Sequence, residues 1–313
     1  MEFQEVKNGD ITLRVAVEGE GPLILCVHGW PELWYSWRHQ MTHFSELGYQ
    51  VAAMDVRGYG GSSKPHEVSA YTLLELASDV VAVAHALTYG PVILFGHDWG
   101  APVAWTTTLL HPEKIRALAL HSVPFRAATD VCMLDVYDAI YKDRFFYQLY
   151  FQVEGVAEAE FEGDMLVAMK KIYLALSSCL ESDKPSDATF LQGTTVPTEY
   201  PDWMSASDLQ VYVDAHSKGG MRGPFNRYRA QRQDTAENAG LRGKKIQQPT
   251  CFIAGSLDPV RHSIPGMDLF AVAGVDCDDF RGTTIIEGAG HWVQQQAPDK
   301  TNGALEEFVR GLE

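Results

Sequence analysis

Apolar residues along the chain fall into two alternating rhythms. Short unbroken runs of β-branched and aliphatic residues predict strands at Ile11–Val17, Leu23–Val27, Gln50–Met54, Val92–Phe95 and Ile115–His121. Amphipathic stretches between them predict helices around Leu33–Leu47, Thr72–Thr88 and Trp99–His111. Gly48, Gly90-Pro91 and His111-Pro112 stand where those helices should stop. Continuous rather than alternating strands, separated by helices, imply an α/β protein on a mostly parallel sheet.

From about Pro124 to Arg232 this rhythm gives way to helix formers and a crowd of aromatics, among them Tyr137, Tyr141, Phe145, Phe146, Tyr147, Tyr150 and Phe151. Strands resume at Thr250–Ala254 and Thr283–Ile286, and a helix follows around Pro298–Gly311. The expected organisation is therefore a core over residues 1–123, a helical cap inserted over 124–232, and the rest of the core over 233–313. No internal repeat or low-complexity tract interrupts it.

The 313 residues, 46% of them hydrophobic and 21% charged, suit one large globular domain or a catalytic domain carrying an insertion. Twenty-five Lys and Arg against 41 Asp and Glu give a formal charge of −16, which argues against nucleic acid and polybasic membrane attachment. No apolar run approaches the ~18 residues of a membrane span. Met1-Glu2-Phe3-Gln4-Glu5 puts acids where a secretory signal would be basic and then apolar, so a cytoplasmic protein is expected. Cys26, Cys132, Cys179, Cys251 and Cys277 are odd in number and form no C-x-x-C pair, so they are expected as buried reduced thiols.

The candidate chemistry begins where Val92–Phe95 runs into Gly96-His97-Asp98-Trp99-Gly100. This is the glycine-bracketed turn that thrusts a nucleophile out between strand and helix, with aspartate in the place usually held by serine. On its own, Asp98 could equally be a helix N-cap. Such a turn calls for an acid and then a histidine on loops after late strands. Asp258 lies in Gly255-Ser256-Leu257-Asp258-Pro259 and His291 in Gly288-Ala289-Gly290-His291-Trp292. His121-Ser122-Val123-Pro124 offers no competing carboxylate. The Trp30 N–H in His28-Gly29-Trp30-Pro31 and the Trp99 N–H are placed to form an oxyanion hole. A cis Trp30-Pro31 bond is expected to aim the first of them.

Aspartate is ionised near pH 7 and needs no base to attack, but its attack on an ester would give a reactive anhydride. It suits displacement at an sp³ carbon, which excludes a conventional esterase. The product would be an alkyl ester of Asp98, hydrolysed by water that His291 deprotonates while Asp258 orients the imidazole.

Over essentially its whole length the chain resembles the α/β-hydrolase-fold epoxide hydrolases. The resemblance is carried by His28–Pro31, Trp34-Tyr35-Ser36-Trp37-Arg38, the loop Asp55–Pro65, Gly96–Gly100 and Gly290-His291-Trp292, and more specifically by the cap segments Phe146–Gln152 and Arg222–Arg229. It implies that Tyr147 and Tyr228 donate to the epoxide oxygen, that vicinal diols are the product, and that neither cofactor nor metal takes part. Trp30 replaces a phenylalanine frequent at its position, which matters little to a backbone donor. The chain shows no counterpart of the extra N-terminal domain of the mammalian soluble enzymes, so no second activity is implied.

Phenols suit an alkoxide leaving group, whereas a halide needs only weak donors such as an indole N–H. The alternative is a haloalkane or haloacid dehalogenase working through the same aspartyl ester, with Trp99 as one halide donor. A binding protein that merely keeps the fold is disfavoured by the complete triad. The expected partners are an apolar or aryl epoxide and water, with a homo-oligomer left open. Three other features read as structural. His39 and His43 have zinc-pair spacing, but Gln40 stands where a general-base glutamate would be, so a solvated helix face is expected. Gly58–Lys64 lacks the phosphate-loop spacing and reads as a tight loop beside the site, and Arg242–Lys245 as a solvated charge run.

Overall fold

The structure, a computed structural model, describes residues 1–175, 177 and 184–312. Among these, β1 (Glu2–Asn8), β2 (Ile11–Glu18), β3 (Leu23–Val27), β4 (Gln50–Met54), β5 (Val92–His97), β6 (Ile115–His121), β7 (Thr250–Gly255) and β8 (Phe280–Ile286) form one sheet in the order β1-β2-β4-β3-β5-β6-β7-β8. β1 and β2 pair antiparallel, β2 and β4 likewise, and the other pairs are parallel. β3, β5 and β7 are buried at every residue, which is why each reads as an unbroken apolar run. Helices α1 (Arg38–Glu46), α2 (Leu73–Leu87) and α3 (Gly100–Leu110) separate the early strands.

Between β6 and β7 the described residues form α4 (Met133–Ile140), α5 (Tyr147–Tyr150), α6 (Val156–Gly163), α7 (Met165–Lys170), α8 (Ala206–Gly219), α9 (Arg222–Arg229) and α10 (Gln231–Glu237). Their aromatics join the same hydrophobic core as the sheet, with Phe151, Phe161 and Phe225 fully buried. α11 (Val293–Gln296) and α12 (Pro298–Arg310) close the chain, α12 packing on α1, β7 and β8. No helix among the described residues is long and apolar enough to cross a membrane.

Three elements differ from the sequence reading. β1 was not expected: in this edge strand only Val6 is buried, so it carries no apolar signal and is recruited by its hairpin with β2. The helix expected over Leu33–Leu47 divides into a 3₁₀ turn at Trp34–Trp37 and α1, the turn being held by Asp55, which accepts from Trp34 N–H at 3.1 Å. β8 starts three residues before the predicted strand, because its exposed edge residues hide the beginning. Cys26, Cys132 and Cys251 are buried and Cys277 half-buried, all as free thiols, while Cys179 lies outside the described residues.

Candidate active site

Strand order decides which loops meet. β3 lies beside β5 with Val27 opposite Gly96, so the loop after β3 runs alongside the turn after β5 at the carboxyl edge of the sheet. β7 and β8 are likewise neighbours, which brings the loops bearing Asp258 and His291 together.

The turn after β5 is tight enough to require its glycines. A Cβ on Gly100 would run into the Val27 carbonyl, and one on Gly96 would sit 2.6 Å from the Gly100 carbonyl. Between them Asp98 adopts φ +49°, a conformation disfavoured for L residues. Its carboxylate caps no helix, since α3 has no side-chain cap. It is held instead by the Trp30 N–H, which donates to Oδ1 at 2.7 Å. A Cβ on Gly29 would collide with both this oxygen and the Trp99 backbone nitrogen, so the loop bearing Trp30 packs directly on the turn. The Trp30-Pro31 bond is cis, as expected.

His291 Nε2 is 3.5 Å from Asp98 Oδ2, and Nδ1 lies 3.1 and 3.2 Å from the two oxygens of Asp258. Asp258 is buried and also accepts from Val260 N–H, so its carboxylate is fixed from two sides. Burial by itself would depress the imidazole. The Asp258 and Asp98 carboxylates outweigh it and push His291 up to about 10, so the resting site holds an imidazolium between two carboxylates. The His291 carbonyl accepts from His97 Nε2 at 2.8 Å and from Ser122 Oγ at 2.9 Å, which ties the His291 loop to the turn bearing Asp98.

Tyr147 on α5 and Tyr228 on α9 meet edge-to-face, 5.9 Å between ring centres. With Asp98, His291, Trp30, Ile172, Phe190 and Trp292 they line a chamber of about 40 Å³. Burial, together with the neighbouring Asp98 charge, raises both phenols far above their ordinary value, so both hydroxyls are protonated. The Trp99 indole packed edge-to-face on Tyr228 opposes this there. On the other side of Asp98 a cleft of about 1000 Å³ opens between core and inserted helices, its wall including Trp99, Trp105, Phe125, Tyr137, Tyr141 and Phe146. All seven residues expected from the sequence thus come together around Asp98.

Sequence reading missed Glu32 and His97. Both are fully buried, with Glu32 Oε2 2.6 Å from His97 Nδ1. Glu32 also accepts from Gly29 N–H at 3.0 Å and from the Gln294 amide at 2.9 Å. One carboxylate therefore joins the loop bearing Trp30, the turn bearing Asp98 and the segment after His291. Burial would raise Glu32, but His97 and the hydrogen bonds hold it down to about 2. The available signal was an acid set within the aromatic stretch from Trp30 to Trp37.

Of the features read as structural, His39 and His43 are half-buried rather than on a solvated face, and His43 meets Glu306 of α12 at 3.0 Å. Lys64 closes its own loop, donating to the Gly60 and Ser62 carbonyls at 2.7 and 2.9 Å. Arg242–Lys245 is exposed.

The family described as alpha/beta hydrolase fold matches residues 22–298. The chain is 36% identical to Epoxide hydrolase A of Mycobacterium tuberculosis, over 98% of this chain and 97% of that protein. It is 32% identical to Epoxide hydrolase 2 of Siraitia grosvenorii, over 99% and 98%. The crystal structure of Epoxide Hydrolase A from Mycobacterium thermoresistibile superposes with a TM-score of 0.93 at 36% identity, covering 100% of this chain and 99% of that one.

Proposed function

The chain belongs to the epoxide hydrolases of the alpha/beta hydrolase fold, and from that premise we propose that it works through an alkyl ester of Asp98. The reading rests on one observation: Asp98, His291 and two buried phenols face a single chamber.

In the first step an Asp98 oxygen attacks an epoxide carbon from the side opposite the C–O bond that breaks. The alkoxide takes a proton from Tyr147 or Tyr228, and the phenolate left behind is quenched by the proton of His291. That transfer is favoured once the ester forms, because one of the two carboxylate charges holding the proton on His291 has gone. Neutral His291, with Asp258 on Nδ1, then deprotonates a water that attacks the ester carbonyl carbon. The Trp30 and Trp99 N–H groups hold the developing oxyanion. Collapse releases the diol and restores the Asp98 carboxylate beside an imidazolium, which balances the protons over the cycle. The 40 Å³ chamber has room for the attacking water.

Residues 124–232 act as the cap, supplying both phenols and much of the aromatic wall, and the wall favours substrates with an apolar or aryl substituent. Water is the only other reactant, no cofactor or metal is called on, and the location is cytoplasmic. Dehalogenation is not favoured, since relatives matching nearly the whole chain are epoxide hydrolases and the two buried phenols suit an alkoxide leaving group.

The test is His291→Gln with a panel of terminal, internal and aryl epoxides beside haloalkanes. With epoxides the variant should gain the substrate's mass on the Asp98 peptide and release no diol, and wild type should release diol but no halide. A folded variant that binds epoxide but never gains mass would refute the ester.

A further inference from the structure

Arg227 precedes Tyr228 on α9, yet it reaches neither cleft nor chamber. Its side chain is 3% exposed. The guanidinium pairs with Asp234 and donates to the Tyr71 carbonyl, and its carbon lies 4.8 Å from the centre of the Trp99 ring. Nε is buried without a partner among the described residues. Asp234 in turn accepts from Leu73 N–H at 2.7 Å, at the start of α2. A buried cation that leaves one donor unmet while covering an aromatic face is costly unless the field it exerts is useful.

The ring it covers links it to the reaction. Trp99 stands edge-to-face on Tyr228, 5.3 Å between ring centres at 87°, so the phenol lies directly against the ring that the guanidinium covers. A cation over the indole face polarises the ring it covers and extends its positive field towards the phenol packed against that ring. The same positive field favours negative charge arriving on the Tyr228 oxygen as its proton leaves.

We propose that Arg227 is a positioning residue for ring opening, acting through Trp99 to make Tyr228 the readier proton donor of the two phenols. The inference rests on the role proposed above for Tyr228. Arg227 is still cationic at neutral pH, although burial lowers it to about 9. A purely structural Arg227, holding Trp99 and tying α9 to α2, would affect both chemical steps, because Trp99 also lends its backbone N–H to ester hydrolysis.

The test separates ester formation from ester breakdown by single-turnover kinetics, in Arg227→Met and Arg227→Lys, each with and without Tyr228→Phe. Arg227→Met should slow formation roughly 10- to 30-fold and breakdown by less than about threefold, and Arg227→Lys should recover most of the loss. Beside Tyr228→Phe, the Arg227→Met effect on formation should shrink to about twofold, because the phenol that Arg227 tunes is gone and only Tyr147, which it does not reach through Trp99, still donates. If the unpaired Asp234 unfolds Arg227→Met, the Arg227→Met/Asp234→Asn pair carries the same expectation. Equal slowing of both steps, or an undiminished effect beside Tyr228→Phe, would overturn the proposal. Tyr228→Phe slow with Arg227→Met at wild-type rate sinks it alone. Tyr228→Phe at wild-type rate sinks the phenol's role and this inference together.

Discussion

The proton balance makes His291 the group to watch, and Asp98→Asn is the perturbation that isolates it. Asparagine keeps the shape of the side chain and a carbonyl oxygen for the Trp30 N–H, but removes the charge 3.5 Å from Nε2. It thereby imitates the alkylated enzyme, whose ester is also neutral. At that separation a unit charge contributes about 1.2 kcal/mol at a dielectric of ~80 and about 4.7 kcal/mol at ~20, or roughly 1 to 3.5 pKa units. His291 should therefore fall by roughly that much from about 10, with Asp258 still supporting it. Asp258→Asn should lower it at least as far, because there the charge and the direct hydrogen bond at 3.1 Å both go. The assay is a ring-carbon and ring-proton NMR titration of imidazole-labelled protein, with His291→Gln assigning the resonance. A fall of less than about half a unit in Asp98→Asn would show that the ester does not release the His291 proton, and the base of the second step would have to arise otherwise.

What was legible in the sequence is what burial and backbone geometry write there. β3, β5 and β7 are buried on both faces and so appear as apolar runs, and Gly96 and Gly100 appear because nothing larger fits against the start of α3 at the first or against the end of β3 at the second. Asp258 and His291 follow from order along the chain. The two phenols were different: composition shows an aromatic cap, but only resemblance to a family singled out Tyr147 and Tyr228 among its many rings. β1 escaped because an edge strand with one buried residue has no pattern to read. Glu32 and His97 escaped because their meaning is a contact between residues 65 positions apart, made only when β3 and β5 become neighbours. The same holds for Arg227, whose place over Trp99 is a contact between residues distant in the chain.

Two further outcomes test the frame around the chemistry. Glu32→Ala strips a buried acceptor from His97, Gly29 and Gln294, and should cost on the order of 3 kcal/mol of stability, since each buried donor left unmet costs about 1–3 kcal/mol; urea unfolding that moves by less than about 1 kcal/mol would show the network to be slack. Its acid branch has a definite sign: a carboxyl held down to about 2 stabilises the fold above its unfolded value near 4.5, and that contribution fades as pH falls from there towards 2. Wild type should therefore lose more stability than Glu32→Ala between pH 5 and 3. Gly100→Ala tests the turn itself, since the new methyl group meets the Val27 carbonyl, a backbone atom at the end of β3 that no rotamer can move aside. Separating α3 from β3 also separates Asp98 from the Trp30 N–H, so turnover should fall by about a hundredfold or more, alongside a stability loss of roughly 1–3 kcal/mol. Gly163→Ala, with open space around its Cβ and an ordinary backbone, should change neither by much and serves as the control. A Gly100→Ala protein as stable and as active as that control would mean that close packing of the turn against β3 does not aim the nucleophile.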